Sequence, residues 1–145
     1  MSRLVVFVTL LLVWGTMGAL ACSCTQPTVE EAVHRADAVF LGTIKTLTFA
    51  EPNNPGSRVI VVFEVSRVWK GRVTKTFEMR SIVETTFCEG FFRSDLLVGK
   101  QLLVFANRVR TGLRMVYSTN ICSLTGPPDR HGNTLQVLGE SKLPS

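Results

Sequence analysis

The chain has 145 residues, 46% of them hydrophobic and 19% charged, with four cysteines and a formal net charge of +5. That length suits one domain with its own core and calls for no second. The basic balance favours acidic matrix or envelope polymers, anionic surfaces or acidic protein partners through long-range attraction, and carries no information about fold.

In chain order, Arg3 precedes an apolar run from Leu4 to Trp14, and the small-residue triplet Ala19-Leu20-Ala21 follows. This is the layout of a secretory signal peptide. The run is shorter than the roughly 18 to 20 residues that a spanning helix needs. Residues 1–21 are therefore expected to be removed on export, leaving residues 22–145 as a single domain. All four cysteines, Cys22, Cys24, Cys88 and Cys122, fall in that mature part, and an even count in an exported chain points to two disulfides. A bridge between Cys22 and Cys24 rarely satisfies disulfide geometry. The two remaining connectivities both tie the N-terminus to Cys88 and Cys122, each bridge closing a long loop worth about 4 kcal/mol in the chain-entropy model. A four-thiolate zinc site is the rival reading, but structural zinc sites favour paired C-x₂₋₄-C spacings, whereas Cys88 and Cys122 stand alone.

Thr28 followed by Glu31 is a capping-box signature, so a short helix is expected from Pro27 to Ala36. Strands follow at Ala38–Thr48 and Arg58–Lys70, separated by Glu51-Pro52-Asn53-Asn54-Pro55-Gly56, which excludes helix or central strand. The unbroken apolar stretch Val59 to Phe63 predicts burial on both faces of the second strand. A tight connection at Lys70-Gly71-Arg72 leads into an alternating strand at Val73–Arg80. A further hairpin joins Gln101–Asn107 to Leu113–Ile121, and a short terminal helix is expected near Asn133–Gly139. Five strands with short turns and one or two flanking helices predict a mainly β, small closed barrel. The long connection Ser81–Gly99 carries Cys88, with Phe91 and Phe92 read as core cover.

The sequence holds no nucleophile elbow, HExxH motif, phosphate-cradling glycine loop or paired carboxylates in a plausible cleft, and His34 and His131 read as solvated surface residues. We expect no enzyme activity, no cofactor of the chain's own and no nucleic-acid partner. One feature carries chemistry. A cut before Cys22 would place its α-amine beside its own carbonyl oxygen, a five-membered chelate for a metal ion once the amine, with pKa ~8, is neutral. Anchoring Cys22 and Cys24 would hold that chelator rigid and exposed. Its natural target is the open coordination position of a catalytic zinc.

Cys22-Ser23-Cys24, the helix leading into Ala36-Asp37-Ala38-Val39, then Phe63-Glu64-Val65, Trp69-Lys70-Gly71 and the single cysteines Cys88 and Cys122 together resemble the inhibitory domain of the tissue inhibitors of metalloproteinases. The resemblance spans nearly all of Cys22 to Pro128. It implies an OB-like, netrin-type closed barrel with Cys22 joined to Cys88 and Cys24 to Cys122. It further implies a monomeric, secreted inhibitor of zinc metalloendopeptidases. In that reading the amine and carbonyl of Cys22 cap the target's catalytic zinc, Ser23 enters the S1′ pocket, Cys24 and Thr25 follow the primed subsites, and Thr86 and Phe87 contact the non-primed side. The chain departs from the family in three ways: the next expected half-cystine falls at His34, the second cysteine-rich domain is missing, and Pro27 comes later than the family's proline. A different reading is a non-inhibitory netrin-like binding module, including a periplasmic or lipid-anchored bacterial envelope lipoprotein acylated on Cys22, since Ala19-Leu20-Ala21-Cys22 loosely resembles a lipobox.

Overall fold

The computed structural model describes residues 23–52, 54, 56–83 and 88–145. The expected signal peptide, Cys22, Thr86 and Phe87 lie outside the described residues. The elements are α1 (Val29–Arg35), β1 (Ala38–Phe49), β2 (Arg58–Lys70), β3 (Thr76–Ile82), a single 3₁₀ turn (Arg93–Asp95), β4 (Gln101–Thr111), β5 (Arg114–Ser118) and α2 (Thr134–Leu138). The strands form one antiparallel sheet in the order β3-β2-β1-β4-β5.

The sheet curls into a half-barrel. Three register irregularities interrupt the β1–β2 ladder, between Val39 and Phe40, Leu41 and Gly42, and Ile44 and Thr46, and such breaks increase the right-handed twist. The end strands β3 and β5 are thereby brought together. The Ser81 and Ser118 hydroxyls share a hydrogen bond of 2.9 Å, and the rings of Phe77 and Tyr117 stand 4.9 Å apart. No strand ladder joins β3 to β5 among the described residues.

Two buried clusters occupy the two faces of the sheet. One gathers Phe40, Ile44, Val61, Phe63, Phe77, Met79 and Phe91, with Phe40 packed edge-on to both Phe63 and Phe77. The other gathers Val39, Leu41, Leu103 and Phe105 with Ala32 and Ala36, and Val29, Val33, Leu135 and Leu138 from the two helices pack against it. The strands buried on both faces are therefore β1, from Ala38 to Leu41, and β4, from Leu102 to Ala106. In β2, Val59, Val61 and Phe63 are buried while Ile60 and Val62 are half-buried. The expectation of two-faced burial there was wrong, because the helical cover lies over β1 and β4 and stops short of the first half of β2.

Local chemistry sets the element ends. The capping box at α1 is complete: the Glu31 amide donates to Thr28 Oγ1 at 3.2 Å, and the Thr28 amide donates to Glu31 Oε2 at 3.0 Å. At the other end, Lys70 Nζ donates to the carbonyl oxygens of Val33 and His34 at 2.8 and 3.1 Å, where a cation also suits the helix dipole. Gly71 follows with φ 84°, and a Cβ there would sit 2.6 Å from the Asp37 carbonyl oxygen. Only glycine combines that backbone with that approach.

The strand expected from Val73 begins at Thr76, because the buried Val73 instead accepts a main-chain hydrogen bond from Ser145 at 3.0 Å. β4 runs on to Thr111 and turns into β5 through Gly112 and Leu113 alone. The C-terminal stretch runs back along β2: Trp69 Nε1 donates to the Gly139 carbonyl at 3.1 Å, and Val68 pairs with Lys142.

Candidate functional site

The start of the described chain is fastened by sulfur. Cys24 is joined to Cys122 across 98 positions, with their Cα atoms 5.2 Å apart. Cys88 is also disulfide-bonded, and its Sγ lies within 4.8 Å of those of Cys24 and Cys122. Its expected partner, Cys22, lies outside the described residues. Ser23 and Thr25, on either side of Cys24, are exposed, whereas all three sulfur-bearing residues are half-buried. Oxidised sulfurs do not act as thiolate ligands, so the group is a covalent knot and not a metal site in this state.

The loops that carry the knot are built to hold it. Cys88 has φ 63°, the one positive value outside glycine among the described residues. Such a conformation costs on the order of 1 kcal/mol and persists where the surroundings over-determine it. The Ile121 amide donates to the Cys88 carbonyl at 3.1 Å, and the Gly90 amide to the Thr119 carbonyl at 3.0 Å. These bonds zip the Cys88 segment against the Cys122 segment, with Glu89 bridged to Asn120. Gly90, with φ 91°, has no room for a Cβ against the Ile82 carbonyl.

Behind Cys122 lies a hydroxyl network that sequence reasoning did not single out. Thr119 Oγ1 and Thr125 Oγ1 are 2.8 Å apart, Thr119 Oγ1 donates to the Phe105 carbonyl at 3.0 Å, and the Phe105 amide donates to Thr125 Oγ1 at 2.9 Å. Ser123 Oγ joins Thr119 at 3.1 Å and donates to the Asn120 carbonyl at 2.8 Å. Thr119 and Thr125 are buried, and the network docks the Cys122 loop onto β4. Its only trace in the sequence is the density of hydroxyl residues around Cys122, in Ser118-Thr119-Asn120-Ile121-Cys122-Ser123-Leu124-Thr125.

The structure thus brings Cys24, Cys88 and Cys122 together and leaves Ser23 and Thr25 exposed beside them. Thr86 and Phe87 precede Cys88 in sequence but fall outside the described residues. Phe91 is core, and Phe92 is half-buried with the Arg130 guanidinium 5.2 Å from its ring. The two histidines differ. His34 is exposed, whereas His131 is half-buried, and burial together with neighbouring Arg130 lowers its pKa below the usual 6.5. Reading both as solvated surface groups missed that difference.

No family model matches this chain, and no curated protein matches it. Among the described residues, no helix is long and apolar enough to cross a membrane.

Proposed function

We propose that the chain is an exported inhibitor of zinc metalloendopeptidases, of the kind that the tissue inhibitors of metalloproteinases represent. The cut after Ala21 would create the α-amine of Cys22, and that amine with the Cys22 carbonyl would displace the water on the target's zinc. Ser23 would fill the S1′ pocket, Cys24 and Thr25 would line the primed side, and Thr86 and Phe87 the non-primed side. The observation that carries this reading is the convergence of Cys24, Cys88 and Cys122 beside an exposed Ser23 and Thr25. A chain end tied this closely has little freedom left to lose on binding.

The fold reading extends in the same direction. The approach of β3 to β5 through Ser81–Ser118 and Phe77–Tyr117 supports an OB-like, netrin-type barrel. The bridge missing at His34 has a non-covalent counterpart in Lys70, whose ammonium ties the Val33 and His34 carbonyls to the end of β2.

The test compares protein whose N-terminus is verified by mass spectrometry as free Cys22 with the same protein carrying one extra alanine ahead of it. Both are assayed against a panel of zinc endopeptidases. The expected outcome is inhibition by the first and its loss in the second. Equal behaviour of the two would refute chelation, and a diacylglyceryl group on native Cys22 would refute the inhibitor reading altogether.

A further inference from the structure

A cleft of about 800 Å³ opens between the far ends of β1, β2 and β3 and the β4–β5 hairpin. Its size falls within the ~300–1,000 Å³ typical of ligand-binding clefts. Four arginines line it, Arg58 and Arg80 from one side and Arg110 and Arg114 from the other, against one carboxylate, Glu89. Arg80 is paired with Glu78 at 2.8 Å. Arg58, Arg110 and Arg114 have no carboxylate partner among the described residues. The folded chain therefore holds uncompensated guanidinium groups around one opening, a field that attracts anions.

The remaining lining decides which anion. Phe49, Ile60, Val109 and Val116 contribute apolar surface to the same cleft, and Val109 is 38% exposed. An acidic polysaccharide has no apolar side chains to cover that surface. An acidic peptide with alternating apolar residues supplies both kinds of contact, and its carboxylates match the two-pronged guanidinium fork. It also has a main chain to offer: β5 lines the cleft, and among the described residues its main chain is laddered to β4 alone, its other edge meeting β3 through the side chains of Ser118 and Tyr117, which leaves main-chain groups toward Arg114 for an extended segment.

We propose that this cleft is a docking groove for a short acidic, apolar peptide segment of a partner protein. Neither Cys22 nor a zinc ion takes part, so the groove stands or falls independently of inhibition.

The experiment is fluorescence anisotropy with labelled ten-residue peptides in which Glu or Asp alternates with Val, Leu or Phe, compared with counterparts carrying Gln and Asn. The double variant R110Q/R114Q removes two exposed groove charges. The pair R67Q/R72Q removes two exposed charges outside the groove and serves as the matched control. Circular dichroism confirms that each variant is folded. The expected result is binding of the acidic set, weakened about tenfold in R110Q/R114Q and less than about twofold in the control. Three results overturn the proposal: equal weakening by the two variants, no binding by any acidic peptide below millimolar concentration, or binding of a sulfated oligosaccharide to the groove that no acidic peptide displaces.

Discussion

Asp95 shows how much of this molecule rests on single side chains. It is 2% exposed, yet its carboxylate is fully engaged: Arg130 donates through Nη1 and Nη2 at 2.6 and 2.7 Å, and Lys100 Nζ lies at 3.1 Å. The pair with Arg130 joins the 3₁₀ turn after Phe92 to the stretch that precedes α2, across 35 positions. Replacing both partners with apolar groups is often neutral, but removing one leaves buried charge uncompensated. Asp95→Asn is therefore expected to lower stability by about 3 kcal/mol, read from the urea unfolding midpoint under non-reducing conditions. Nothing in the sequence announced this pairing, because Asp95 and Arg130 belong to no periodic pattern and meet only through tertiary folding. Gly71 is the opposite case. The Trp69-Lys70-Gly71 end of β2 was visible as a motif, and its three residues act separately: Trp69 through an indole hydrogen bond to Gly139, Lys70 as a cap on α1, and Gly71 by letting the backbone press against Asp37.

Among the elements, the strands were largely legible because one buried face imposes a period of two, as in β3, where Phe77, Met79 and Ser81 are buried and Thr76, Glu78 and Arg80 exposed. Errors arose where long-range contacts set the boundary. β3 starts late because the C-terminal stretch claims Val73, and β5 ends at Ser118 because Thr119 turns inward to the Phe105 carbonyl. The helix α1 was legible to its cap. With seven residues it has few internal hydrogen bonds to rely on, so its start matters more than its propensity. Thr28→Ala should cost about 1 kcal/mol, measured by thermal unfolding. The same loss is expected from Glu31→Ala if the box acts as a unit, and the double variant should then lose less than the two single losses added together. The candidate site divides in the same manner. Its cysteines stood out by type and spacing, whereas the Thr119–Ser123–Thr125 network did not, since hydroxyl residues are common in loops and only the fold reveals which are buried.

At the scale of the whole molecule, the response to acid follows from His131. Its folded pKa lies below the ordinary value of 6.5 because burial, and then Arg130, disfavour the imidazolium. The unfolded chain consequently binds the proton first. The contribution is intact above the unfolded value, declines as pH falls through about 6.5 toward the lowered folded value, and is constant below it. Urea midpoints measured from pH 8 to pH 5 should fall across that window, and His131→Gln should flatten the slope. A midpoint that rises on acidification would contradict the assignment.

The link between Cys24 and Cys122 has one more consequence, for what becomes of a damaged molecule. The turn between β1 and β2, where Glu51, Pro52 and Asn54 are exposed, is the sort of polar surface loop that proteases nick first. Both cysteines lie outside it, one on each side. A chain cut there would remain one covalent body, its two fragments parting only when a reductant opens the bridge.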